Sequence, residues 1–169
     1  MRLRSVLYGT LIAAVVAGCD ADELDLTGPQ QFLYEADLSG AATRPTSTST
    51  SATGLFHGAI SVGGFLNYTI SWSGLGSASN SVTINGPITA GNSNAAAVLI
   101  NLDDAAAGRT VTNGTTGSAS GTIDLNTALS ATVSADSLRK LLDNGGLYVN
   151  IGTTGNPTGE IAGVITRLP

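Results

Sequence analysis

The sequence predicts an all-β protein: an antiparallel β-sandwich, Greek-key or Ig-like, of about eight strands with one short helix. Three observations carry this. Phe65-Leu-Asn-Tyr-Thr-Ile-Ser-Trp-Ser73 alternates with period two, Leu66, Tyr68, Ile70 and Trp72 on one side and Asn67, Thr69, Ser71 and Ser73 on the other. Successive strand side chains face opposite ways, so this run has one buried and one wet face. Clusters of Gly, Asn and Thr divide the chain into short segments of strand length. Only 11% of residues are charged and 22 are glycine, which favours many turns over long amphipathic helices.

The elements follow in order. Gln31–Leu38 opens the sheet. Thr43–Thr53 is a low-complexity Ser/Thr stretch, expected to be a mobile loop or weak edge that adds little to a core. Ala52–Val62 and Phe65–Ser73 form a hairpin through Gly63-Gly64, because glycine supplies the positive φ of tight primed turns. Asn80–Asn85, Ala95–Leu102 and Ala119–Leu125 are further strands. Ala135–Leu142 is predicted as the helix. Ser134 is its cap, Leu138, Leu141 and Leu142 share a face, and Asn144-Gly145-Gly146 stops it. Leu147–Ile151 and Gly159–Arg167 complete the strands.

The first residues have a different character. Arg2 and Arg4 precede an almost wholly apolar or small run, Val6–Ala17. Spanning a bilayer takes about 20 apolar residues, so the run suits a signal-peptide core. It ends at Val16-Ala17-Gly18-Cys19, which resembles a bacterial lipobox. The resemblance implies cleavage before Cys19 and lipid on its sulfur. Three segments are expected: a lipoprotein signal peptide over 1–18, a lipid-anchored acidic tether over 19–30, and a β-sandwich domain over 31–169. The tether holds Asp20, Asp22, Glu23 and Asp25 but lacks the glycine and distal glutamate of an EF-hand loop.

Composition narrows the function classes. Cys19 is the only cysteine, so the chain has no internal disulfide and no thiolate metal cluster. Beyond the leader, five basic residues stand against twelve acidic ones, with one lysine, Lys140. A nucleic-acid partner is therefore not expected.

From Phe32 to Leu168 the pattern resembles the CHRD domain. Phe32-Leu-Tyr-Glu-Ala-Asp-Leu-Ser-Gly-Ala41 resembles its opening strand, Ala52-Thr-Gly54 and Leu66-Asn-Tyr68 its next hairpin, and Asn85-Gly-Pro87 the end of its His-Ile-His-Gly-Pro segment. Leu147-Tyr-Val-Asn150 and Asn156-Pro-Thr-Gly-Glu-Ile-Ala-Gly163 resemble its closing signature. The departures concern chemistry. Thr83 and Asn85 stand where the family pattern has two histidines, Gly152 where it has a third, and Ala162 where it has arginine. Thr43-Arg-Pro-Thr46 stands where it has Glu-x-Pro-Pro. Any metal or polar site built on those residues does not carry over.

The remaining candidate sites are few. His57 is the only histidine, alternating with apolar neighbours in a strand, and a zinc site needs more donors. No Gly-x-Ser-x-Gly elbow frames a nucleophile. Asp103 and Asp104 are adjacent carboxylates at a strand end that could join a calcium site, although a solvated loop is the simpler reading. Glu160, which the family keeps, and Asn85 are possible binding or structural residues. Trp72 and Tyr68 share the apolar strand face, so they read as core. No catalytic residue, protein-ligated metal or cofactor is expected. The function implied is a lipid-anchored cell-envelope protein displaying a non-catalytic binding or structural module. It would face the periplasm or the surface, with the membrane and an envelope protein or polysaccharide as partners. The alternative is a metal-binding or enzymatic domain related to copper- or zinc-type β-sandwich sites.

Overall fold

The structure, a computed structural model, describes residues 32–88, 96–104, 107–127 and 133–169. The leader, Cys19 and the acidic tether lie outside these residues, as do Gln31 and Ala95, the first residues of two predicted strands.

Among the described residues, ten strands and one α-helix form an all-β fold. The strands are β1 (Phe32–Ser39), β2 (Thr53–Ile60), β3 (Phe65–Ser73), β4 (Ser79–Asn85), β5 (Val98–Asn101), β6 (Thr110–Thr112), β7 (Gly117–Asp124), β8 (Tyr148–Thr153), β9 (Ile161–Val164) and β10 (Thr166–Arg167). The helix, α1, spans Ala135–Asp143. All pairings are antiparallel along one path, β5-β4-β8-β9-β1-β2-β3-β7-β6, with β10 added to β1. The path curls strongly, so a single sheet encloses the core. Three connections, β3–β4, β5–β6 and β7–β8, cross between its halves. Two short strands take the count past the expected eight. β6 was not predicted. The last predicted strand divides at Ile165, whose N–H bonds Leu147 O just before the chain moves on to pair with β1.

The alternation in β3 holds through the strand: Leu66, Tyr68, Ile70 and Trp72 are buried and the residues between them are exposed. Phe56, Leu38, Ile84, Ile123, Leu147 and Ile151 meet them in one core. Trp72 fits because its register partner is Gly117, where a Cβ would come within 2.6 Å of the indole. Its Nε1–H donates to Gly114 O at 3.1 Å. The β2–β3 hairpin forms where predicted, but not through a primed turn: Gly64 N–H closes a turn on Ser61 O whose central residues, Val62 and Gly63, keep negative φ, and only Gly64, which follows them, takes a positive φ, +79°. The helix starts at the predicted cap, where Ser134 accepts from the Ser137 N–H. Leu138 and Leu142 are buried and Leu141 half-buried.

Another expectation is corrected. The Thr43–Thr53 stretch is not a loose loop, because its hydroxyls anchor it. Thr43 Oγ1 is buried, 2.7 Å from Gly40 O and 2.8 Å from Thr46 O. Thr48 N–H donates to Gly40 O at 2.8 Å, and its side chain donates to Gly159 O at 3.2 Å. Short hydroxyl side chains satisfy nearby backbone groups, so a polar segment can pack without apolar residues.

Candidate functional site

The site to test is the second face of β4, β8 and β9, opposite the core. Register places Thr83 beside Asn150, Ser81 beside Gly152, Asn85 beside Tyr148 and Asn150 beside Ala162. Positions 83, 85, 152 and 162, where the family pattern carries histidines and an arginine, therefore share one sheet face. None of the four is open to solvent: Thr83 is 7% exposed, Asn85 5% and Ala162 0%, and Gly152 is buried.

Small residues and internal hydrogen bonds fill this face. Thr83 Oγ1 donates to Asn85 Oδ1 at 2.6 Å, and Asn85 Nδ2 donates to Ala96 O at 3.0 Å. Asn150 Nδ2 donates to Thr158 O at 3.1 Å, while Asn150 Oδ1 has no hydrogen-bond partner among the described residues. A Cβ on Gly152 would overlap the Ser81 hydroxyl and lie 3.1 Å from Pro157 O. The guanidinium of Arg44 lies over the Tyr148 ring, 5.8 Å from its centroid, so the β1–β2 connection reaches across this border.

Glu160 stands just before β9 and is 1% exposed. The Gly76 N–H donates to its Oε1 at 2.7 Å, Thr50 to the same oxygen at 3.2 Å, and Thr153 to Oε2 at 2.8 Å. Burial alone would raise its pKa. The hydrogen bonds from Gly76, Thr153, Thr50 and Asn156 outweigh that and hold the carboxyl below its ordinary value. An ionised group with its lone pairs engaged by the protein is built as a fastener. It joins the β1–β2 connection, the segment after β3 and the end of β8. Nothing in a Ser/Thr-rich run marks Thr50 as its partner, and Gly76 contributes only backbone.

The other candidates lie apart from this cluster. Asp103 Oδ2 accepts from the Val82 N–H at 3.1 Å, and Asp104 is exposed. His57 is exposed on β2. Among the described residues, no three His, Cys, Asp or Glu side chains group as metal ligands. Tyr68 is buried and donates to Leu102 O at 3.0 Å; burial pushes its phenol up to about 12, against an opposing pull from Arg109.

Comparison with known proteins agrees with this scaffold. No curated protein and no solved structure matches the chain. The family model of the CHRD domain matches residues 34–165, from the third residue of β1 to the residue before β10. The chain belongs to the CHRD domain family.

Proposed function

We propose that this chain is a cell-envelope lipoprotein, held by lipid on Cys19, whose CHRD domain is a non-catalytic binding or structural module. The observation that carries the reading is the filled face of β4, β8 and β9. A copper or zinc site needs several imidazole, thiolate or carboxylate donors converging on one point. At the four positions in question stand a hydroxyl, an amide, a hydrogen and a methyl group, all four buried. Catalysis needs an acid, base or nucleophile with room for a substrate beside it. Glu160, the carboxylate nearest that face in sequence, is enclosed by its own donors. Recognition then falls to exposed loops and sheet borders, and the partner to an envelope protein or polysaccharide. The leader and the lipobox-like Val16-Ala17-Gly18-Cys19 support the address.

Two measurements test the two halves of the reading. Cys19→Ser is expected to abolish lipid labelling and detergent partitioning of the expressed protein; unchanged partitioning overturns the anchor. The purified protein, incubated with copper and with zinc and then dialysed, is expected to retain neither in stoichiometric amount. Retention of either at one per chain overturns the module reading and favours the metal-handling alternative.

A further inference from the structure

Six large apolar side chains are exposed among the described residues, and five of them lie at one end of the sheet. They are Phe32 (37%), Leu33 (47%), Val62 (71%), Phe65 (42%) and Leu168 (37%). The sixth, Val98, is on β5 at a border of the sheet. Register defines the shared end. Phe32 pairs with Ile60, the last residue of β2, and Ile60 pairs with Leu66 across the hairpin that carries Val62 at its turn. Leu168 N–H donates to Leu33 O at 2.9 Å. Phe32, Val62 and the side chain of Arg139 border one hollow of about 350 Å³. Arg167 lies over the Phe32 ring, 4.1 Å from its centroid.

We infer that this end of the domain docks on the bilayer surface, with Val62 and Phe65 in the headgroup–acyl boundary. The inference rests on the lipid anchor proposed above. The occupant follows from where the chain leaves the described domain. Phe32 is the first described residue, and twelve residues, Asp20–Gln31, separate it from Cys19. Even fully extended, they span only about 40 Å. The apolar end is therefore the end that an anchored chain would hold nearest the lipid. A tether of this length gives an effective concentration on the order of millimolar, so a weak contact is occupied without strong intrinsic affinity. The contact is apolar in kind, which suits an acidic protein. Arg139 and Arg167 are the cations beside it; of the carboxylates there, Asp143 is engaged by Tyr34 at 2.7 Å and by Arg167 at 3.4 Å, and Asp124, opposite Phe65 in register, accepts from the Asn126 N–H at 2.8 Å. Apolar side chains flanked by arginine are the composition of interfacial contacts.

The test uses the acylated protein, its lipid confirmed by mass spectrometry, reconstituted in vesicles of phosphatidylethanolamine and phosphatidylglycerol. With Cys19 acylated, Val62→Cys and, separately, Thr115→Cys each give a single labelling site for an environment-sensitive fluorophore. Thr115 lies in the β6–β7 turn, near the other end of the sheet. The label at 62 is expected to shift to the blue and to be quenched by nitroxide-bearing acyl chains, and the label at 115 to do neither. Adding Phe65→Asp, with folding checked by circular dichroism, is expected to reduce the quenching at 62. Acylated protein whose label at 62 stays as aqueous as that at 115 overturns docking and leaves the anchor standing. A blue shift without lipid quenching, together with a doubled mass, assigns the patch to a second copy and also overturns it. A protein without acyl chains removes the tether and overturns both readings.

Discussion

Glu160 is a charge installed with its partners in place, and removing it leaves donors stranded. Glu160→Ala deprives the Gly76 N–H and the Thr153 and Thr50 hydroxyls of a buried acceptor. The expected cost is about 2–4 kcal/mol in urea denaturation at neutral pH. The pH dependence has a definite sign. The folded carboxyl titrates below the ordinary value of 4.5, so its contribution is complete above that value. It is lost as pH falls through the lower folded value, because the unfolded chain takes up the proton first. Glu160→Gln should flatten stability against pH in that acid window; an unchanged slope there would show that the carboxylate is not the titrating group. At this scale the sequence was only partly legible. Glu160 stands out through its motif, but its partners do not, since a backbone N–H and one threonine in a run of hydroxyls carry no mark. The polar face shows the converse: Thr83, Asn85, Gly152 and Ala162 are legible as departures from the family pattern, whereas their burial on a single sheet face is a matter of register.

Elements were legible where their two faces differ. β3 has one dry and one wet face, and α1 has a cap, an apolar stripe and a glycine stop, so both fell close to their expected bounds. β6, three residues of Thr-Val-Thr at the sheet border, has too little contrast to register as a period. The break between β9 and β10 escaped for another reason: Ile165 is buried, so hydropathy runs on through the point where the chain changes partner. The Ser/Thr connection was misjudged because its packing uses hydroxyls, which composition counts as solvent-facing. The cap of α1 makes a direct check. Ser134→Ala removes the acceptor of the Ser137 N–H and is expected to cost about 1 kcal/mol, with the strands unchanged. A loss near zero in chemical denaturation would show that water replaces the cap.

At the scale of the whole molecule, the sheet is one path whose two borders, among the described residues, are β5 and β6. β5 and β6 hold those borders with four and three residues, while β2 pairs along its whole length with β1 and β3, and β3 along nearly its whole length with β2 and β7. Opening at a border breaks one ladder, whereas opening β2 breaks two and exposes Phe56. Native-state hydrogen exchange should therefore find β5 and β6 amides least protected and β2 amides near the global limit; uniform protection would contradict this order. None of this was legible beforehand, because three crossing connections decide which strands become neighbours, and period and turn chemistry do not encode them. The pairing of β10 with β1 has a consequence for rearranging the chain. Tyr34 faces Arg167 and Leu33 holds Leu168, so the two ends of the described domain lie side by side. Domains with adjacent ends tolerate circular permutation. A short linker from residue 168 to residue 32, with the chain reopened at the exposed Asn113–Thr116 turn, would preserve nearly every ladder while moving the point of attachment toward the opposite end. The end of the sheet from which any flanking chain leaves is thus set by where the chain is cut, and can be exchanged without altering the sheet.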